Sequence, residues 1–261
     1  MITQQSANVL QKWEHMTPEE LRIAFNNELH CGPNAAAAKI SSWAESSGVL
    51  RSLNPQHLNI PYGLRDRNKW DIYPSNSDPS APCLVYIHGG YFKWGSKEAY
   101  ACVVEGVLAH GWSAALPGYT LAPEATLTQI VTELRQALDL LPQLLQARGV
   151  ALSGVYDLHP MRASPHVNDK IQLSDQECAT LSPALLQQTV DKPLHIVYGS
   201  AELPVFTESA YQLHQLRSAA HLPGSLIPVA GADHFVVLDH LRDPNSPLTR
   251  SIVHSTLPDH N

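Results

Sequence analysis

Apolar and polar positions fall into two kinds of block along this chain. Short continuous apolar runs lie at 83–87, 112–116, 150–152, 194–198 and 225–229, each bounded by glycine, proline or polar residues. Runs of that length predict strands buried on both faces. Between them the apolar spacing changes to three and four residues, which predicts helices over 97–110, 126–148 and 207–220 and a helical start at 235–241. In the second of these, Leu127, Val131, Leu134, Leu138, Leu141 and Leu145 form one apolar face, and Pro142 kinks or divides the helix. Residues 58–63 and 70–73 alternate around the polar turn 65–68 and predict a hairpin, with Pro61 confined to an edge or strand end. The first 52 residues read as helical and peripheral. Thr17, Pro18 and Glu20 supply an N-cap, an N1 proline and a capping box, and the alanine-rich stretch after Pro33-Asn34 predicts a second helix. Residues 75–82 form a polar loop, and 155–185, with little periodicity, are expected as loops and short helices.

Strands alternating with helices imply an α/β fold: a mainly parallel sheet, helices on both faces, and an antiparallel N-terminal edge. The expected organisation is one domain, with helical residues 1–52 packed on a core of residues 53–261. In such sheets ligands bind beyond the carboxyl ends of the strands. His88-Gly89-Gly90, Ser153-Gly154, residues 199–202 and the loop around His234 all lie at such ends and are expected to converge.

Composition narrows the partners. The 261 residues are 44% hydrophobic and 16% charged, with a formal charge of −7, as in a globular protein rather than a disordered one. A pI near 6.0 argues against nucleic acid or an anionic membrane as partner. A small molecule is the expected one, and a homodimer is open. The start lacks the features of a signal peptide, and no apolar run approaches membrane-spanning length. Cys31, Cys83, Cys102 and Cys178 are scattered, which reads as reduced thiols in a cytoplasmic protein. Fourteen histidines invite a metal reading, but no H-x-x-x-H pair has a carboxylate partner, so neither a metal nor a cofactor is expected.

The turn after the first of the buried runs carries the first chemistry. Two glycines there let the backbone bend sharply, and N–H groups exposed at the bend can face an oxygen that becomes negative during a reaction. Taken in order, HGGYF, YTLAPE, LSGVYDL, YGSAELP and GADHF resemble the kynurenine formamidase-like (arylformamidase) branch of the α/β-hydrolases, and TPEELRIAFNN and LNIPYG extend the likeness over nearly the whole chain. The resemblance implies the α/β-hydrolase fold and a metal-free serine-esterase mechanism. It also implies hydrolysis of N-formylkynurenine-like aryl formamides or small esters, a step of tryptophan catabolism. On this likeness Gly89, Gly90 and Tyr91, with His88 before them, match the oxyanion and substrate-binding loop, where the family often has tryptophan in place of Phe92. Glu202 matches the triad acid and His234 the general base, with Asp157 and Asp233 as alternative acids. Imidazole titrates in the right range for a base, and a carboxylate behind it fixes its tautomer.

One part is missing. The family's G-x-S-x-G nucleophile elbow belongs between the helix ending near Arg148 and the strand at 150–152, and no G-x-S-x-G occurs anywhere in the chain. A central strand, its elbow and the following helix, about 30 residues as a βαβ repeat, are expected to be absent. Residues 150–153 are expected to move into the vacated slot, which makes Ser153 the one substitute nucleophile. Against it, residues 156–160 start no evident helix to support an oxyanion donor. Three readings stay open: a formamidase- or esterase-like hydrolase without its nucleophile, a catalytically dead member that binds a ligand or partner through its pocket, and a deletion product.

Overall fold

The computed structural model describes residues 13–78, 80–141 and 149–254. The expected kink at Pro142 and the helix end with Leu145 and Arg148 lie outside them. The chain divides into two compact units. One comprises Met1–Pro33, Thr126–Thr128 and Gln143–His234, the other Asn34–Ala125, Gln129–Pro142 and Phe235–Asn261. The division falls elsewhere than the boundary drawn at residue 52.

The second unit is built on a four-stranded sheet of β1 (Ile60–Pro61), β2 (Lys69–Tyr73), β3 (Cys83–Val85) and β4 (Ser113–Pro117), in the order β1-β2-β4-β3. The first two strands form the expected antiparallel hairpin, with Ile60 opposite Trp70. β2 also runs antiparallel to β4, and β3 is parallel to β4. Side-chain alternation divides the core. Tyr73, Ala114 and Leu116 face Ala101, Val104 and Val107, whereas Trp70 and Ala115 face Ala137. The first group belongs to a 3-10 turn, Ala101–Val104, that runs into α4 (Glu105–Ala109), and Ala137 to α5 (Leu127–Asp139). The helix expected from residue 97 therefore begins later. Lys97 is instead tied by its ammonium to Asp71 and Asn59, at 2.6 and 2.8 Å. The buried face of α5 is also rotated from its expected position: Ile130 and Ala137 are buried and Val131 is exposed. Glu133 shares that face because its carboxylate accepts from Asn68 Nδ2 and the Thr120 N–H, both at 2.8 Å. The long α3 (Pro33–Ser52) and the C-terminal α10 (Val236–Arg242) and α11 (Pro247–His254) complete this unit.

The first unit begins with α1 (Pro18–Ala24), which carries the Thr17–Glu20 capping box, and α2 (Asn27–Cys31). Its sheet is the parallel trio β5 (Gly149–Leu152), β6 (Leu194–Gly199) and β7 (Leu226–Val229), in that order. α9 (Pro204–Ala219) packs Ala210 and Leu213 on Ile196 and Tyr198 of β6. The aperiodic stretch folds into α6 (His159–Ala163), α7 (Pro165–Ile171) and α8 (Asp175–Leu181). Contrary to the sequence reading, a helix does start at His159.

Two sheets thus stand where one was expected. β3 is the last strand of one and β5 the first of the other. Among the described residues, Gly149–Leu152 pair with β6, and no ladder joins them to β3. The β5–β6 ladder from Gly149↔Leu194 to Leu152↔Val197, prolonged by the Ser153 N–H on the Val197 carbonyl at 2.8 Å, holds β5 against β6 instead.

Candidate active site

In the first unit, three loops at the carboxyl ends of β5, β6 and β7 meet around one carboxylate. Glu202 follows β6 by a turn closed between its own N–H and the Gly199 carbonyl. The loop is stitched to the one after β7: Ser200 N–H bonds Val229, Ala201 N–H bonds Ala232, and Ser200 Oγ accepts the Gly231 N–H. These bonds fix where Glu202 and His234 stand.

The Glu202 side chain is fully buried, and both its oxygens are used. Oε1 accepts from His234 Nδ1 at 2.6 Å. Oε2 accepts the Gly199 N–H at 2.7 Å and the Ser153 hydroxyl at 3.0 Å. A carboxylate so placed keeps the proton of a neutral imidazole on Nδ1 and leaves Nε2 as the basic nitrogen. Phe206, on the first turn of α9, lays its ring 4.5 Å from the His234 ring, centroid to centroid.

Ser153 is therefore brought to the dyad, but on the carboxylate side. Its backbone is in the left-handed region, φ 50°, a conformation that costs a side-chain-bearing residue about 1 kcal/mol or more. Gly154 cannot be replaced without movement, since a Cβ there would lie 2.5 Å from the Tyr156 ring. The alternative acids are placed otherwise. Asp157 pairs with His159 Nδ1 at 2.8 Å, and Asp233 lies beside the Cys31 thiol. Burial, and then the negative charge of Asp233, push that thiol up to about 12.

Sequence reasoning missed what supports these loops from α2. His30 Nε2 bonds the Ala201 carbonyl at 2.8 Å, and Cys31 reaches the Asp233 side chain and the His234 backbone. Nothing in the local pattern HCGPN signals this, because both contacts bridge to loops far along the chain. Phe206 was equally invisible as anything but a core aromatic.

The HGG turn belongs to the other unit. His88 is buried, its ring stacked between Tyr119 at 4.3 Å and Tyr100 at 5.9 Å. Its Nδ1 bonds the Gly89 carbonyl, and Tyr119 Oη donates to the His88 carbonyl, both at 2.8 Å. Burial pulls the imidazole down to about 4, so it is neutral at physiological pH. Gly90 has φ 111°, and a Cβ on it would fall 2.2 Å from the Trp94 carbonyl oxygen. Tyr91 and Phe92 continue the left-handed path, at φ 47° and 57°. Left-handed residues carrying side chains are uncommon and concentrate in functional loops.

Among the described residues no group of three or more His, Cys, Asp or Glu side chains could hold a metal ion, and no helix is long and apolar enough to cross a membrane. The four cysteines are free thiols.

No protein-family profile matches the chain. Kynurenine formamidase of Danio rerio is 22% identical to it over 286 positions, covering 92% of this chain and 97% of the relative. The aligned positions outnumber the 261 residues of this chain, so tens of them have no counterpart here. Among solved structures, a protein of Silicibacter sp. TM1040 described as a thioesterase superposes with a TM-score of 0.73 at 27% identity, covering 88% of this chain and 97% of its own. Esterase B of Lactobacillus Rhamnosis superposes at 0.59 and 15% identity, covering 84% and 92%. These likenesses show the α/β-hydrolase fold.

Proposed function

We propose that this chain, a kynurenine formamidase homologue on the α/β-hydrolase fold, is a hydrolase of the formamidase or ester type. It retains the acid–base pair Glu202–His234 and has lost the segment that carries the nucleophile. Its ligands are then small aryl formamides or carboxylic esters. Hydrolysis proceeds, slowly, by water that His234 deprotonates rather than through an acyl-enzyme. The observation that carries this reading is the 2.6 Å bond between His234 Nδ1 and a fully buried carboxylate whose other oxygen is already occupied. That carboxylate has no evident structural task that requires an imidazole.

Loss of the nucleophile is supported by three facts. The sequence contains no G-x-S-x-G. The formamidase alignment contains positions that this chain cannot fill. Only residues 140–148 separate α5 from β5, far fewer than the roughly 30 of a βαβ unit. Ser153 is a poor replacement, because its hydroxyl donates to Glu202 Oε2 and not to the imidazole; a nucleophile needs its proton directed at the base. We assign Ser153 the role of orienting the acid, and His88, Gly89, Gly90 and Tyr91 that of an oxyanion loop retained from the ancestor.

The test is turnover of p-nitrophenyl acetate and formanilide by the wild-type chain, His234→Ala and Glu202→Gln. Slow turnover without a burst, lost in His234→Ala, is expected. A triad without its nucleophile falls about a millionfold in kcat yet stays about 1,000-fold above water. A burst of p-nitrophenol matching the enzyme concentration would overturn the proposal, since it reports an acyl-enzyme.

A further inference from the structure

We propose that His30 and Cys31, neighbours at the end of α2, are positioning residues for the dyad: each holds the peptide group that immediately precedes one of its two members. This deepens the reading of Glu202–His234 as the working acid–base pair and, in its kinetic arm, rests on it.

The peptide between Ala201 and Glu202 is a rigid plane. One edge is held within the loop, where the Glu202 N–H donates to the Gly199 carbonyl at 3.1 Å. The opposite edge is held from α2. His30 Nε2 lies 2.8 Å from the Ala201 carbonyl oxygen, and since a carbonyl only accepts, that nitrogen carries the proton. With both edges fixed the plane cannot turn, which sets the direction in which the Glu202 side chain leaves the backbone. The peptide between Asp233 and His234 is held in a matching way. Its N–H donates to the Cys31 sulfur, whose own S–H donates to the Asp233 carboxylate. A thiol pushed up to about 12 keeps that proton at neutral pH.

The two grips start from consecutive residues, whose Cα atoms are about 3.8 Å apart by covalent geometry. That fixed length is passed to the two peptides, and through them to the 2.6 Å bond between Glu202 and His234. α2 is itself anchored without help from the dyad. Asn26 Oδ1 accepts the Leu29 N–H at 2.9 Å, Phe25 is buried, and Ser164 Oγ donates to the Leu21 carbonyl of α1 at 3.1 Å. Gly32, at φ 89°, ends the helix directly after Cys31. His30 is exposed, so its hydrogen bond adds little to stability. Its value lies in geometry, because a displacement of about 1 Å at a catalytic group can cost about 100-fold in rate.

The test uses the full chain labelled with ¹⁵N, reading the His234 imidazole by NMR beside kcat and KM for p-nitrophenyl acetate. In His30→Ala and in Cys31→Ala the downfield Nδ1–H resonance of His234 should move upfield or broaden. In both, kcat should fall about 10-fold, with KM changed less than about twofold. His30→Gln, whose amide reaches as far and donates, should restore both readings, as should Cys31→Ser, whose hydroxyl donates and accepts. Glu28→Gln, exposed on the same helix, should alter neither. In a Glu202→Gln background His30→Ala should lower kcat no further, since it acts through that carboxylate. A merely structural role would lower the urea midpoint and leave the resonance and kcat of the folded protein in place. Alanine variants with the wild-type resonance, or a loss in His30→Gln equal to that in His30→Ala, would overturn the proposal. Should the wild type turn over no ester, the proposed function fails and the resonance alone decides this inference.

Discussion

Glu202 is the residue on which three donors depend, and two substitutions there separate its structural from its chemical role. Alanine leaves the Gly199 N–H, the Ser153 hydroxyl and His234 Nδ1–H without their acceptor. Gly199 lies at the buried end of β6, so its N–H bears the full cost of an unmade bond, about 1–3 kcal/mol. Ser153 and His234 are half-buried and can turn toward water, which adds less. The expected loss is about 2–4 kcal/mol, read by equilibrium urea unfolding. Glutamine behaves differently. Its carbonyl oxygen can keep the Gly199 and Ser153 bonds, but its amide then faces His234 Nδ1 with a donor. The imidazole must move its proton to Nε2, which removes the basic nitrogen. Glu202→Gln should therefore lose about 1 kcal/mol or less yet shift the ¹⁵N signature of His234 from the Nδ1–H to the Nε2–H tautomer, with hydrolysis falling together with it. A glutamine variant that retains the Nδ1–H tautomer, or an alanine variant as stable as the wild type, would refute this account of the carboxylate.

Other outcomes follow from the same structure. Gly90→Ala should cost about 2 kcal/mol or more in thermal or urea unfolding, because φ is 111° and the new Cβ would strike the Trp94 carbonyl oxygen. His88, held near 4 against an ordinary value of 6.5, stays neutral while the unfolded chain takes up a proton between those values. Stability should therefore fall as pH drops from about 6.5 to 4, by up to about 3 kcal/mol, and His88→Gln should flatten that slope. Ser153→Ala and Ser153→Gly both lose the bond to Glu202, but glycine relieves the left-handed backbone. Ser153→Gly should thus be the more stable of the two, by about 1 kcal/mol in urea unfolding.

How much the sequence discloses depends on the range of the forces involved. The apolar runs at 112–116 and 194–198 became β4 and β6 within one residue, since both are local patterns with sharp ends. The Thr17–Glu20 capping box is visible because its partners lie three residues apart. The helical face of α5 was visible only in part: Leu127 is buried and Leu134 packs on the core as its spacing implies, but Val131 is exposed while Glu133 is drawn inward by Asn68 and Thr120, which its own periodicity cannot reveal. The late start of the helix after the HGG loop has the same origin in the long-range grip of Asp71 on Lys97. At the candidate site, Glu202 and His234 stood out through the likeness of YGSAELP and GADHF to the formamidase-like family, since a loop acid and a loop histidine at strand ends are a weak signal alone, and the structure places them 2.6 Å apart. The supports from His30, Cys31 and Phe206 could not, and neither could the break of the strands into two sheets.

The claim that an acid–base pair persists here without a nucleophile is tested most directly by labelling the purified chain with a fluorophosphonate probe and mapping the peptides by mass spectrometry. The account predicts no adduct on any serine of the folded protein, Ser153 included. A stoichiometric adduct on Ser153 that disappears in His234→Ala would contradict it, by showing that the hydroxyl now bonded to Glu202 can be turned to the imidazole and made to attack.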